Sequence, residues 1–110
     1  MVMGPLPIYR AASIFSCRPN FDGSTGCGID RTTLATAIDP IVAALRALAT
    51  LHPNLLVFDT FAAICPNSQR TCSPVSGRVP QYRDQDHLNA AGAASLAPPF
   101  LRFLRGLPPG

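Results

Sequence analysis

The stretch that decides the fold class is TLATAIDPIVAALRALATL (residues 33–51), followed by HPN (52–54) and LLVFD (55–59). In the first segment apolar side chains recur every three or four residues, which predicts a helix with one apolar face. These side chains are Leu34, Ile38, Ile41, Val42, Leu45 and Leu48. The continuous apolar run 55–59 has the length and composition of a strand that is covered on both faces. A strand ahead of the helix would pair with 55–59 in parallel, through a right-handed crossover.

Three polar features of this stretch bear on its interpretation. Pro40 either kinks the helix or starts it anew, with Asp39 as the N-cap. Asp59 follows the predicted strand, where open parallel sheets bind their ligands, but it could equally cap a turn at 60–63. His52 stands beside a proline at the end of the helix and is expected to be solvated.

The segments that precede the helix predict an incomplete sheet. Residues 1–8, MVMGPLPI, are typical of the carboxyl end of a buried strand that leads into a loop. Together with 55–59 this makes two strands, whereas a stable sheet usually needs about three or more. We therefore expect an α/β domain with a parallel sheet whose N-terminal strands are missing. Residues 9–30 and 64–79 are rich in Gly, Pro, Asn and Ser and are expected to be irregular.

The last third of the chain predicts a final helix over 90–104, with Asn89 as its N-cap. Pro98 and Pro99 should kink or restart this helix. The apolar stripe expected to pack on the sheet consists of Leu96, Phe100, Leu101 and Leu104. The Pro/Gly-rich residues 106–110 form a tail, which leaves 1–105 as the C-terminal portion of one domain.

The composition argues against several classes of protein. With 47% hydrophobic and 14% charged residues, the chain can bury a core and is not expected to be disordered. Its nine arginines are scattered and form no cluster that could follow phosphates, so nucleic-acid binding is not expected. No segment has the roughly 20 uninterrupted apolar residues of a membrane-spanning helix. The first residues also lack the basic and apolar parts of a signal peptide.

Four cysteines fall into two local pairs, Cys17 with Cys27 and Cys65 with Cys72. Each pair spans a loop with little apolar content, where a disulfide would restrict the unfolded chain by about 2.5 kcal/mol. A zinc site is the first alternative, although neither pair has the short Cys-x-x-Cys spacing. Four free thiols in a cytoplasmic protein are the second. The disulfide interpretation is favoured and points to an oxidising compartment such as the periplasm.

The pattern Asp84-x-x-His87, just ahead of a helix, has the spacing for a carboxylate that folds back onto its downstream imidazole. One ring nitrogen would then be held as a donor, and the other could accept a proton from a hydroxyl nucleophile. Two other interpretations remain open at this point. The two residues could form an ordinary turn with a surface ring, or Asp84, Asp86 and His87 could bind a metal.

A longer pattern around this pair, Tyr82-x-Asp84-x-x-His87-Leu88-Asn89-x-x-Gly92-Ala93, resembles the last conserved block of SGNH hydrolases. More narrowly, it is similar to the periplasmic SGNH domain at the C-terminus of membrane-bound bacterial O-acyltransferases. The run 4–7 after a strand, the early cysteine pair, and Asp59 ahead of Cys65 and Cys72 follow the order of that subgroup.

The resemblance implies a three-layer α/β/α sandwich of flavodoxin type, of which this chain would be a part. It also implies that His87 and Asp84 belong to a Ser-His-Asp triad acting on small acyl groups, above all acetyl, of cell-envelope carbohydrate. The implied partners are an acyl donor, a carbohydrate acceptor and an upstream membrane acyltransferase domain, with no cofactor. The location would be periplasmic, or otherwise extracytoplasmic, in a membrane-anchored parent protein.

The chain departs from the family pattern at the nucleophile. The Gly-Asp-Ser block is absent, as are the upstream Gly and Asn that complete the oxyanion hole, and no serine present has the required strand-to-helix context. The isolated chain is therefore expected to be inactive. A hypothesis of a different class is a non-catalytic secreted binding module, in which disulfides hold the loops and Asp84 and His87 merely precede a helix.

Overall fold

The computed structural model describes residues 1–9, 28–77, 79–84 and 86–107 of the chain. In these ranges, short strands are arranged around one long helix and three short ones. The elements in chain order are β1 (Val2–Met3), β2 (Ile29–Asp30), α1 (Arg31–Leu51), β3 (Val57–Phe58), α2 (Thr60–Ile64), β4 (Thr71–Cys72), β5 (Val75–Ser76), β6 (Val79–Pro80), α3 (Ala90–Ser95) and α4 (Ala97–Arg105).

Strand β1 precedes α1 in the sequence and β3 follows it. The two strands pair in parallel, as predicted. Val2 is paired with Val57, and the Gly4 N–H donates to the Phe58 carbonyl at 2.8 Å. The expectation that residues 1–8 hold the end of a buried strand was only partly right, since Met3 of β1 is 53% exposed. Within the described residues β1 pairs only with β3, so no described strand pairs with its second edge. The protein is thus mixed α/β with a small parallel sheet.

Helix α1 runs through Pro40 as one element. The alternative that a new helix starts with Asp39 as its N-cap is therefore wrong. Its buried side chains are Leu34, Ile38 and Val42, whereas Ile41 and Leu48 are about half exposed. The predicted stripe is thus only partly covered, because two strands are too narrow to cover the whole apolar face of a 21-residue helix.

By length and mean hydropathy, α1 also meets the requirements of a membrane-spanning helix. This corrects the expectation that no segment qualifies, because the many Ala, Leu and Ile residues outweigh Pro40 and Arg46. Core helices of soluble proteins and signal segments can meet the same requirements. Here the side chains of Leu34, Ile38 and Val42 contribute to the hydrophobic core.

The core joins α1 to the loops on either side of the parallel strands. Tyr9 and Tyr82, both almost completely buried, pack edge to face with ring centroids 4.9 Å apart. The Tyr82 hydroxyl donates to the Pro7 carbonyl at 2.9 Å, which ties the C-terminal half of the chain to the segment after β1. Burial of the two rings raises the pKa of both tyrosines.

Cys65 and Cys72 are joined by a disulfide, which confirms the second predicted pair. Cys17 and Cys27 lie outside the described residues. The stretch 64–79 was expected to be irregular, but it contains short strands. Strand β4 pairs with β2 and β5 pairs with β6, both antiparallel. These strands are only two residues long, too short to show the alternating apolar pattern from which a strand is predicted.

The predicted final helix is divided at Leu96 into α3 and α4, with Pro98 and Pro99 in the first turn of α4. Of the two alternatives predicted for the prolines, a kink or a new helix, the structure shows a new helix. Phe100 and Phe103 pack against Phe58 of β3, with ring centroids 5.3 and 5.4 Å apart. Leu101 and Leu104, predicted to pack on the sheet, are instead 48% and 38% exposed. Residues 100 and 103 share one face of α4, and this face rather than the 101/104 face is turned to the sheet.

Candidate functional site

The Asp84 and His87 side chains lie on a hairpin-like turn between Tyr82 and Leu88. Tyr82 and Leu88 form an antiparallel bridge, and the Arg83 N–H donates to the His87 carbonyl at 2.8 Å. Inside the turn, Asp84 Oδ1 accepts from the backbone N–H groups of Asp86 and His87, at 3.1 and 2.8 Å. An aspartate side chain that accepts hydrogen bonds from the backbone two or three residues downstream favours such a turn. This local interaction explains why the chain reverses direction here.

The Asp84 carboxylate also reaches the imidazole ring of His87. His87 Nδ1 lies 2.9 Å from Asp84 Oδ1 and 3.0 Å from Oδ2. Asp86 Oδ1 lies 2.8 Å from the same nitrogen. With Nδ1 donating to a carboxylate, Nε2 is the nitrogen left to accept a proton. Both side chains are about half exposed, so the ring is open to a partner from outside the described residues.

The charge of Asp84 is stabilised by its surroundings. Its pKa is lowered from 3.8 to about 2, first by the backbone N–H of Asp86 and then by the ring and backbone N–H of His87, whereas desolvation acts in the opposite direction. The carboxylate is therefore ionised wherever His87 would act as a base near neutral pH. It can hold the ring and stabilise an imidazolium at this site.

We expect the Asp84 carboxyl group to titrate near pH 2 in the folded chain. Because its pKa is lowered on folding, the ionised group stabilises the turn above pH 3.8, and this contribution is lost as the pH falls toward 2. A ¹³C NMR titration of the side-chain carboxyl measures the midpoint. In His87→Asn the backbone donors remain, so the midpoint should still lie below 3.8. A wild-type midpoint at 3.8 or higher would contradict the hydrogen-bond pattern.

The turn is held at its base by buried contacts that the sequence did not predict. Asn89 caps α3 by accepting from the Gly92 N–H at 2.9 Å, as predicted, but its Nδ2 also donates to the Pro80 carbonyl at 2.8 Å. Gly92 is buried so closely against the Gln81 carbonyl that a Cβ there would overlap it. The only signal in the sequence was a glycine in a helix otherwise made of Ala and Ser, which often has a packing reason.

Asp59 and His52 have structural positions apart from this turn. Asp59 caps α2 by accepting from the Ala62 N–H at 3.0 Å and lies 3.4 Å from Arg46 Nη2. The capping interpretation of this residue is therefore confirmed. His52 is exposed at the end of α1, as expected.

The oxygen and nitrogen atoms of Asp84, Asp86 and His87 converge within 4.8 Å, close enough to share one metal ion. All three residues are exposed. A metal on His87 Nδ1 would have to displace the proton that this nitrogen shares with Asp84. The arrangement of donors thus suits a carboxylate-bound imidazole at least as well as a metal centre.

Comparison with known proteins gives one match. A family model described as the SGNH domain fused to AT3 domains, which are acyltransferase domains, matches residues 1–102. No curated protein and no solved structure matches the chain. The match covers nearly the whole sequence, including the turn with Asp84 and His87 and the parallel strands β1 and β3. The chain therefore belongs to the SGNH domains of acyltransferase-fused proteins, a family that indicates an acyltransferase or esterase type of function.

Proposed function

We propose that this chain supplies the histidine and aspartate of a serine-dependent acyl-transfer site. The parent protein would transfer or hydrolyse small acyl groups, most simply acetyl, on cell-envelope carbohydrate outside the cytoplasm. The observation that carries the proposal is the Asp84 to His87 Nδ1 contact of 2.9 Å within a family of acyltransferase-fused domains. Asp84 would orient the ring, and His87 would act as base and then as acid.

The proposed reaction has two half-steps. In the first, the serine oxygen attacks the acyl carbonyl carbon while His87 Nε2 takes the serine proton. The bond between the acyl carbon and the donor oxygen then breaks, and His87 returns the proton to the leaving group. In the second, His87 takes the proton of a sugar hydroxyl as its oxygen attacks the acyl carbonyl carbon. The bond between that carbon and the serine oxygen then breaks, and His87 returns the proton to the serine. Water in place of the sugar makes the same site an esterase.

The serine would come from a segment outside these 110 residues. Among the serines that the structure describes, Ser73 and Ser95 are engaged with backbone groups, and none of the described serines hydrogen-bonds His87. The second edge of β1, with which no described strand pairs, leaves room for further parallel strands from such a segment. In this proposal 1–105 is the C-terminal part of a three-layer sandwich, 106–110 is a tail, and a membrane acyltransferase domain delivers the acyl group to the site.

The proposal predicts that the 110-residue chain alone has no esterase activity and no reactive serine. The chain would be incubated with 4-nitrophenyl acetate and, separately, with a serine-reactive phosphonate detected by mass. The matched control is the His87→Ala variant of the same chain, which gives the background of the assay. Turnover more than tenfold above that background, or stoichiometric labelling, would mean that the chain carries its own nucleophile and that the assignment is wrong.

A further inference from the structure

Two carboxylates lie against the imidazole ring of His87. The Nδ1 atom is 2.9 and 3.0 Å from the two carboxylate oxygens of Asp84, and it is 2.8 Å from Asp86 Oδ1. Asp86 stands at a position that the pattern Asp84-x-x-His87 leaves open to any residue. The ring thus has a carboxylate beside it that a Ser-His-Asp triad does not require.

The two carboxylates are held in different ways. Asp84 Oδ1 accepts from the backbone N–H groups of Asp86 and His87, at 3.1 and 2.8 Å, so the turn itself fixes this side chain. The Asp86 side chain is exposed and meets the turn through His87 Nδ1. An exposed side chain changes rotamer readily, so Asp86 can follow the ring when the ring shifts.

The ring nitrogen has more acceptors around it than protons to donate. A neutral imidazole carries one proton, and Nδ1 can hold only that one. Three carboxylate oxygens from two residues nevertheless lie within 3.0 Å of it. When one carboxylate takes the proton's hydrogen bond, the other remains beside it as a replacement.

We propose that Asp86 is a second positioning residue of the acyl-transfer site, which keeps the proton of His87 on Nδ1 when the hydrogen bond to Asp84 is lost. The inference deepens the proposed function, and its effect on catalysis rests on that function. The position of the proton does not, since it is a property of the turn alone. With Nδ1 protonated, Nε2 stays available to the serine.

The substitution Asp84→Asn separates the two carboxylates. Its amide oxygen can still accept from the backbone N–H groups of Asp86 and His87, which use both of its lone pairs and preserve the turn. The amide NH₂ then takes the place of Oδ2, 3.0 Å from Nδ1, where a second donor opposes a protonated Nδ1. A triad histidine in the wrong tautomer commonly costs about 10⁴-fold in kcat. Asp86 supplies the acceptor that prevents this loss.

The first test reads the tautomer of His87 in the 110-residue chain, from long-range ¹H–¹⁵N spectra of the imidazole at a pH where the ring is neutral. We expect the Nδ1–H form in the wild type and in both single variants, Asp84→Asn and Asp86→Asn, and mainly the Nε2–H form in the double variant. Asp39→Asn removes the same charge from the exposed side of α1 and should leave the spectrum unchanged. An Nε2–H ring in Asp84→Asn alone, or an Nδ1–H ring in the double variant, would overturn the proposal.

The second test measures kcat for acyl transfer by the serine-bearing parent protein. We expect a loss of less than about 5-fold in Asp86→Asn, about 100-fold or less in Asp84→Asn, and about 10⁴-fold in the double variant, more than the product of the single losses. Any folding defect from the change at residue 84 is common to the last two proteins. A double variant no worse than Asp84→Asn would overturn the proposal. Expected tautomers in a parent protein whose activity survives His87→Ala would instead uphold the role of Asp86 and reject the proposed function.

Discussion

Replacing His87 with alanine lowers acyl transfer by the serine-bearing parent protein about 10⁴-fold or more, because the serine then has no base to take its proton. The effect should appear in kcat, since the ring acts on the reacting proton and not on the bound ground state. Single-turnover acylation and steady-state transfer, measured with the same acyl donor, should both decline. This is the largest effect that we expect from any single substitution in the chain.

The chain contains its own control, because it has one other histidine. His52 is exposed at the end of α1 and caps it only through its backbone N–H, so His52→Ala should retain near wild-type activity. A His87→Ala protein that keeps more than about a tenth of the activity would remove the base from the proposed mechanism. Loss of activity in both variants would point to a folding defect, and circular dichroism of each would identify it.

Replacing Gly92 with alanine destabilises the chain by about 3 kcal/mol, although the change adds only one methyl group. The new Cβ would overlap the Gln81 carbonyl oxygen and lie 2.9 Å from Leu88 Cδ2. The first neighbour is backbone and cannot rotate away, so α3 must shift relative to the base of the turn. Urea unfolding gives the change in free energy, and the ¹⁵N shifts of residues 82–88 report displacement of the turn.

Gly106 provides the matched control for this substitution. It ends α4 with a negative φ, and a Cβ there would meet its nearest neighbours at 3.6 Å, an ordinary contact. Gly106→Ala should therefore change the free energy of unfolding by less than about 0.5 kcal/mol. If Gly92→Ala were equally mild, the close approach of α3 to Gln81 would not exist in solution, and the turn would be held by Tyr82 and Asn89 alone.

The parts of the site that could be predicted from the sequence depend on interactions over a few residues. Asp84 and His87 are three apart, so a turn places the carboxylate against the ring without help from the rest of the fold. The same holds for Asn89, whose cap reaches Gly92 three residues on. The local pairing of Cys65 with Cys72 closes a short loop and has a low entropic cost.

The sequence by itself determined the strand-helix-strand unit, the helix cap, the disulfide loop and the aspartate-histidine contact, because each depends on periodicity or on neighbours close in the chain. Only the tertiary structure decided which apolar faces are covered and what holds the turn in place. The Phe103 contact with Phe58, the Tyr82 bond to Pro7 and the fit of Gly92 against Gln81 join segments that no local pattern relates. Such contacts depend on how separate elements pack, and their partners are chosen by the shape of the folded chain rather than by spacing along it.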